Sequence, residues 1–98
     1  MAFVQIIEYE TDRDEEIREL VARWRAETEG SRTVVRLLHT RDRARPTRYI
    51  DIVEFASYED AMRNSELPQT TKLAEQMVDL CQGPILYADL DVLAEDRA

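Results

Sequence analysis

The stretch TRYIDIVEFAS, residues 47–57, predicts a β-strand that runs directly into the start of a helix. Successive side chains leave a strand on opposite sides, so Ile50 and Ile52 share one face. That face is typical of a hydrophobic core covered by helices. The opposite face mixes aromatic, aliphatic and acidic side chains, which suits a lined cavity or a subunit interface better than open water. Its members are Tyr49, Asp51, Val53 and Phe55.

The length and composition are those of one compact domain spanning residues 1–98. The chain has 98 residues, of which 44% are hydrophobic and 35% are charged. This profile is typical of a folded globular domain and not of a disordered or fibrous chain. A domain of this size buries a modest core, so contact with a second subunit would add buried surface.

The charge and the cysteine content exclude several classes of partner and site. A formal net charge of −8 repels phosphate backbones, so no nucleic-acid partner is expected. Cys81 is the only cysteine, which rules out an intramolecular disulfide and a thiolate metal cluster, and we expect no metal site. The stretch MAFVQIIEYE lacks a basic n-region, and no apolar run approaches the roughly 18 residues of a membrane span. We therefore expect a cytoplasmic protein with no membrane partner.

Hydrophobic periodicity predicts four strands and a first helix. The strands are expected at residues 2–10, 33–41, 47–56 and 85–93. The helix is expected to begin at a capping box formed by Asp12 and Glu15 and to end near Gly30. Its apolar stripe has helical spacing and consists of Ile17, Leu20, Val21 and Trp24.

A pair of helical segments is predicted between the third and fourth strands. Ser57 and Asp60 form a capping pair for a short helix, which Pro68 interrupts. A second helical run is expected to restart near Thr70 and to end before Gly83.

This order of elements predicts a ferredoxin-like βαββαβ fold of the α+β class, with a four-stranded antiparallel sheet covered by helices on one face. Right-handed crossovers place the first and third strands at the centre and the second and fourth at the edges. We expect the helices to cover the more apolar face, whose residues are Val4, Ile6, Leu38, Ile50, Ile52, Leu86, Ala88, Leu90 and Val92. The remaining face is still too apolar for open water, so the sequence also predicts a two-fold homodimer.

Several phrases of the sequence resemble one superfamily. They are YIDIVEF followed by SYEDAM, then NSELP before the second helical run, and CQGP followed by YADLDVL at the last strand. Together with the element order, they resemble the dimeric α+β barrel superfamily, and within it the antibiotic biosynthesis monooxygenase-like branch and its bacterial relatives. The resemblance implies a pocket between sheet and helices or inside the barrel. Members of the superfamily include cofactor-free monooxygenases, haem-degrading oxygenases and isomerases, so the fold permits several chemistries, and for this chain we expect no cofactor. Haem-degrading members use a histidine on a helix, whereas His39 falls on a predicted strand, so we expect no haem.

His39 and Asp51 are the predicted catalytic pair. The hairpin register that matches the two faces places His39 opposite Asp51 and Arg36 opposite Glu54. An aspartate beside an imidazole fixes the tautomer and favours the charged form, which equips the pair as a general base for a phenolic substrate. The alternative is a cross-strand pair that only satisfies two polar side chains.

A second group of side chains is predicted to bind a small, planar aromatic ligand. Tyrosine rings can stack on such a ligand and hydrogen-bond its oxygens, although tyrosine is equally common in subunit interfaces. Trp24 can form a pocket wall or simply belong to the core. The candidate ligand-binding residues are Gln5, Tyr9, Trp24, Tyr49, Tyr87 and Asp89.

Three functions are compatible with these residues. The first is a cofactor-independent monooxygenase-like enzyme, or an isomerase, acting on a small aromatic molecule. The second is a non-enzymatic small-molecule-binding or stress-type dimer, whose inner face is mainly interface. The third is a subunit partner of a larger enzyme, which would dock on the arginines of the hairpin turn, namely Arg41, Arg43, Arg45 and Arg48.

Overall fold

The computed structural model describes residues 2–98, and these residues form one α+β unit. In chain order the elements are β1 (Phe3–Glu10), α1 (Asp14–Glu27), β2 (Val34–Arg41), β3 (Arg48–Phe55), α2 (Tyr58–Ser65), α3 (Pro68–Leu80) and β4 (Gln82–Asp91). The predicted ferredoxin-like fold is confirmed, with α2 and α3 together occupying the second helical position.

The four strands form one antiparallel sheet in the order β2-β3-β1-β4. The prediction that β1 and β3 lie at the centre is therefore confirmed. The hairpin register is also confirmed, because His39 pairs with Asp51 and Arg36 pairs with Glu54. A register shift before Arg36 pairs Val34, and not Val35, with Phe55.

The predicted start of α1 was wrong. The helix begins at Asp14, its N-cap residue is Arg13, and no side chain caps it. The expected capping box does not form. Instead, the Thr11 hydroxyl accepts a hydrogen bond of 2.9 Å from the Arg13 backbone N–H, just before the helix begins. The predicted capping of α2 is confirmed, since the Ser57 side chain accepts a hydrogen bond from the Asp60 backbone N–H.

The segment around Gly83 belongs to a strand and not to a loop. Helix α3 begins with Pro68 in its first turn and ends at Leu80, and β4 starts at Gln82, three residues before the expected start at Ile85. Gly83 has a φ of +76°, a conformation that glycine adopts without steric cost. The pairing of β4 with β1 is irregular just here, between Glu8 and Glu10.

The predicted assignment of the two sheet faces was wrong. The helices cover the face that carries Tyr49, Asp51, Val53 and Phe55, and these four side chains are buried. The assignment fails because a polar residue can be buried when it finds hydrogen-bond partners, as Asp51 does. The open face carries Ile50 and Ile52, together with charged residues such as Glu8, Arg48 and Glu54.

Two buried clusters connect the covered face to the helices. Phe3, Val53 and Phe55 pack with Ala61 of α2. Tyr9 and Tyr49 pack with Ile17 of α1 and Met77 of α3. These clusters hold α1 and α3 above the middle of the sheet, where the candidate site lies. No helix among residues 2–98 is long and apolar enough to cross a bilayer.

Candidate functional site

Three side chains from three neighbouring strands meet on the covered face of the sheet. The His39 Nδ1 atom lies 2.6 Å from Asp51 Oδ1, and the Tyr9 hydroxyl donates a hydrogen bond of 2.9 Å to Asp51 Oδ2. The Tyr9 hydroxyl is also 3.4 Å from His39 Nδ1. Strand register brings them together, because β2 and β1 flank Asp51 on β3.

Asp14 completes the environment of the imidazole. The His39 Nε2 atom lies 2.9 Å from Asp14 Oδ1, so each ring nitrogen faces a carboxylate oxygen. Only the imidazolium form donates a hydrogen bond to both carboxylates, since a neutral ring carries one N–H. His39 therefore links the first turn of α1 to the centre of the sheet.

The aromatic rings beside this cluster form a continuous stack. Tyr49 lies between Tyr9 and His39: its ring centroid is 5.8 Å from that of Tyr9 and 5.3 Å from that of His39. The interplanar angles are 15° and 8°, respectively. Tyr9 is 1% exposed and Tyr49 is 7% exposed, so these rings fix the position of the imidazole and have little surface left for a ligand.

Burial changes the acid–base properties of the cluster. Desolvation raises the pKa of Asp51 above its usual range, against the opposing effects of the hydrogen bonds from His39 and Tyr9. Desolvation, followed by the nearby Asp51 charge, raises the pKa of the Tyr9 phenol. Asp51 is therefore a stronger base than an ordinary carboxylate, and Tyr9 remains a hydrogen-bond donor.

A cavity of about 110 Å³ lies between the sheet and helices α1 and α3. Asp51 forms part of its wall, together with the Trp24 ring. Most of the remaining wall is aliphatic or aromatic, and the further polar side chains in it are Gln5, Asn64 and Thr70. An apolar chamber with a few convergent polar groups has the character of a small-molecule site.

The predicted site residues divide into two groups. Gln5, Trp24 and Asp51 line the cavity. His39 is paired with Asp51 but does not line the cavity, and Tyr9 and Tyr49 belong to the buried stack. Tyr87 is 54% exposed on β4, and Asp89 is an exposed partner that accepts a hydrogen bond from Gln5 at 3.0 Å. None of the members of this second group lines the cavity.

Three contributors were missed in the sequence. Asp14 lies in the first turn of α1, where an acidic side chain is favourable for the helix dipole whether or not it contacts another residue, so its sequence position does not single it out as a partner of His39. Thr70 holds the pocket wall in place, since its hydroxyl accepts a hydrogen bond of 2.9 Å from the Trp24 indole N–H. Asn64 is buried on α2 and accepts a hydrogen bond from the Thr33 backbone N–H at 3.4 Å. A polar residue in an otherwise apolar helix face was the available signal for Asn64.

Metal and thiol chemistry have little basis in the described residues. Within residues 2–98, no group of three or more His, Cys, Asp or Glu side chains is arranged to hold a metal ion. Burial raises the pKa of the Cys81 thiol, and the Asp51 charge adds to this effect. The thiol is therefore a poor nucleophile.

The fold is shared with solved structures, although no protein-family model and no curated protein matches the sequence. SnoaB, a cofactor-independent oxygenase from Streptomyces nogalater, is 15% identical, with a TM-score of 0.78 over 96% of this chain and 95% of SnoaB. Rv0793 from Mycobacterium tuberculosis is 13% identical, with a TM-score of 0.80 over 99% of this chain and all of that chain.

A candidate antibiotic biosynthesis monooxygenase from Nitrosomonas europaea is 16% identical, with a TM-score of 0.76 over 94% of this chain and 90% of its own. At such identities a structural likeness establishes the fold and leaves the chemistry to be argued from the site. The chain therefore has the ferredoxin-like α+β fold of these solved structures, one of which is described as an antibiotic biosynthesis monooxygenase and another as a cofactor-independent oxygenase.

Proposed function

We propose that this protein is a cofactor-independent monooxygenase-like enzyme that acts on a small aromatic molecule with an acidic hydroxyl group. The observation that carries the proposal is the position of Asp51, a buried carboxylate of raised pKa in the wall of an otherwise apolar cavity. A buried, perturbed carboxylate in a pocket is a candidate general base. The fold shared with SnoaB supports this class of reaction.

Asp51 is the catalytic base in this proposal, and His39 is a positioning residue. Each carboxylate oxygen has two lone pairs, so Asp51 can accept a proton from a substrate while it keeps its contacts with His39 and Tyr9. His39, held on its other side by Asp14, fixes the position of the Asp51 carboxylate. The sequence-based hypothesis treated His39 and Asp51 together as the general base, whereas this proposal assigns proton abstraction to Asp51 alone.

Deprotonation explains how such an enzyme works without a cofactor. A phenolate or enolate is electron-rich enough to reduce dioxygen directly at an activated CH₂ carbon beside the ring, where a hydroperoxide forms and then loses water. This CH₂ group then becomes a carbonyl, with one oxygen atom of O₂ retained in the product and the other released as water. The cavity supports this chemistry because most of its wall is apolar and offers few groups that would hold water beside the charged intermediate.

We also propose that the enzyme is a homodimer formed through the open face of the sheet. This face carries eight apolar side chains from all four strands, beside charged residues such as Glu8, Arg48 and Glu54, and no helix among residues 2–98 covers it. The apolar side chains are Val4, Ile6, Leu38, Ile50, Ile52, Leu86, Ala88 and Leu90. Leu86 is 54% exposed and Leu90 is 46% exposed, and an apolar patch of this kind usually marks an interface.

Oxygen uptake by matched aspartate variants tests the catalytic assignment. The substrates are small phenols and hydroxylated ring ketones that carry an activated CH₂ group beside the ring, and dioxygen consumption is followed with an oxygen electrode. General-base catalysis contributes about 10²–10⁴-fold, so Asp51→Asn should lower the rate by a factor in that range. Asp91→Asn is the control, because Asp91 is an exposed aspartate of β4 outside the cavity. Equal rates in wild-type protein and Asp51→Asn would exclude Asp51 as the base.

A non-enzymatic binding protein is the second candidate, and a specific observation favours it. Both nitrogens of His39 are engaged by carboxylates, and Tyr9 and Tyr49 are packed in the core, as expected for a purely structural network. In this case a ligand stabilises the protein against thermal unfolding, but no substrate in the panel supports oxygen uptake.

A further inference from the structure

A groove of about 490 Å³ runs along the outside of the cavity, between α1 and the edge strand β2. The groove and the cavity share four wall residues, namely Val21, Trp24, Val34 and Leu37. These shared side chains place the two spaces next to each other. The inner cavity is smaller than the roughly 150 Å³ site that holds benzene in an engineered protein, so it accommodates little more than one ring. A larger ligand must extend into the groove.

The groove is basic in a protein that is acidic overall. Arg18 and Arg25 project from α1, Arg32 follows the helix, and the wall contains no Asp or Glu. None of these three arginines forms an ion pair with a carboxylate among residues 2–98, whereas Arg36 at the edge of the groove is paired with Glu54 at 2.6 Å. With a net charge of −8, three arginines without a carboxylate partner form a local positive field.

Two contacts hold one of these arginines at the junction between groove and cavity. The Arg32 Nη1 atom donates a hydrogen bond of 2.7 Å to the Arg25 backbone carbonyl. The Arg32 guanidinium carbon lies 5.9 Å from the centre of the Trp24 ring, within the range of a cation–π contact. A guanidinium has five N–H donors, so Arg32 retains donors for an anionic group.

We propose that the natural ligand is an aromatic acid, whose ring enters the cavity beside Asp51 while its carboxylate or phosphate group binds Arg25 and Arg32 in the groove. This inference rests on the proposed function for the ring-binding part of the site, and it adds the charge of the substrate. It also adds a specificity role for two arginines that lie outside the catalytic cluster. Arg18, two helical turns before Arg25, lines the same groove and strengthens its positive field.

The test compares three probes that differ only in the group at the end of a short chain. They are phenylpropionate, its neutral analogue phenylpropanamide, and phenylethyl phosphate. Binding is measured by the fluorescence of Trp24, the only tryptophan, which lines both the cavity and the groove. We expect at least one of the two anions to bind about tenfold or more tightly than the amide, as a charge-assisted hydrogen bond provides. The stronger anion identifies the carboxylate or the phosphate as the preferred group.

Variants then assign the preference to the groove. Arg25→Gln and Arg32→Gln should each reduce the anion-to-amide affinity ratio several-fold, and the double variant should bring it close to one. Arg43→Gln, in the exposed β2–β3 turn outside the groove, removes the same charge and should leave the ratio unchanged. Far-UV circular dichroism verifies that each variant is folded.

Distinct outcomes overturn this inference and the proposed function. Equal affinities for all three probes, or an anion preference that survives in the Arg25/Arg32 double variant, would contradict the anionic ligand and leave the cavity as a neutral aromatic site. A failure of every anionic probe to bind would also contradict it. The proposed oxygenase activity is tested separately by oxygen uptake, so a protein that binds anions and never consumes dioxygen would retain this inference and lose the proposed function.

Discussion

Asp51 is the residue whose environment most directly determines what the site can do. It is only 8% exposed, yet its two carboxylate oxygens face different partners, His39 on one side and Tyr9 on the other. Desolvation opposes ionisation, while the two hydrogen bonds favour it. Desolvation is the largest of these effects, so the Asp51 carboxylate is more basic than that of an ordinary aspartate, although the two hydrogen bonds reduce the shift.

The titration of Asp51 is the first prediction. Its pKa should lie above the ordinary value of 3.8 for an aspartate. At pH values between 3.8 and the raised pKa of Asp51 in the folded protein, the folded state binds more protons than the unfolded chain. The contribution of Asp51 to the free energy of unfolding therefore decreases as the pH rises through this range. Carbon-13 NMR of the Asp51 carboxyl group measures the midpoint, and Asp89 serves as an exposed internal comparison. A midpoint below 3.8 would show that pairing outweighs burial.

The second prediction concerns the hydroxyl group of Tyr9. Tyr9→Phe removes a buried hydrogen bond of 2.9 Å to Asp51 and leaves the ring in place. The loss of a partner for a buried carboxylate should reduce the free energy of unfolding by about 1–3 kcal/mol and raise the pKa of Asp51 further. Urea denaturation measures the first effect and NMR the second. Tyr87→Phe, on the exposed part of β4, should change stability by no more than about 0.5 kcal/mol.

At the residue scale, the sequence could predict contacts within the sheet but not contacts between helix and sheet. Strand register follows from alternation, which is why the pairing of His39 with Asp51 was predictable. Asp14 reaches the same imidazole from a helix, and its position depends on how α1 packs. The same limitation applies to Asn64 and Thr70, because a helix position alone does not show which cavity its side chain lines.

At the scale of single elements, helix caps distinguish two positions that look alike in sequence. Both Asp12 and Ser57 precede an acidic residue by three positions, but only Ser57 caps a helix through its side chain. The third prediction is that Ser57→Ala reduces the free energy of unfolding by about 1 kcal/mol. Asp12→Ala should be close to neutral, within about 0.5 kcal/mol. Chemical denaturation of both variants provides the comparison, and equal losses would contradict the cap assignment.

The strands show why alternation predicts two faces but not which of them is covered. Along β3 the pattern separates Ile50 and Ile52 from Tyr49 and Asp51 without ambiguity. Choosing the covered face requires knowledge of the hydrogen bonds that make a buried polar residue acceptable, and those bonds come from β1, β2 and α1. The starts of α1 and β4 differ from the predicted ones for a similar reason. A local hydrogen bond of Thr11 precedes α1, and the pairing of β1 with β4 is irregular near Gly83, and neither feature follows from hydrophobic alternation.

At the scale of the whole molecule, the open sheet face should determine the assembly. The fourth prediction is that Ile52→Glu converts a homodimer into a monomer, because a carboxylate placed in an apolar interface must be desolvated without a partner. Val78→Glu is the control: Val78 is 61% exposed on α3, on the opposite side of the sheet. Analytical ultracentrifugation measures the mass of each variant, and circular dichroism verifies its fold. A wild-type protein that sediments as a monomer would contradict the proposed dimer.

The position of bound phenol in a crystal of the wild-type protein tests the central claim most directly. Phenol is a single ring with one acidic hydroxyl, and it matches the scale of the inner cavity. We predict that its ring lies against Trp24 and that its oxygen lies about 2.6–3.2 Å from an Asp51 carboxylate oxygen. Phenol bound elsewhere, or a cavity that stays empty at saturating phenol, would contradict the assignment of this chamber as the active site.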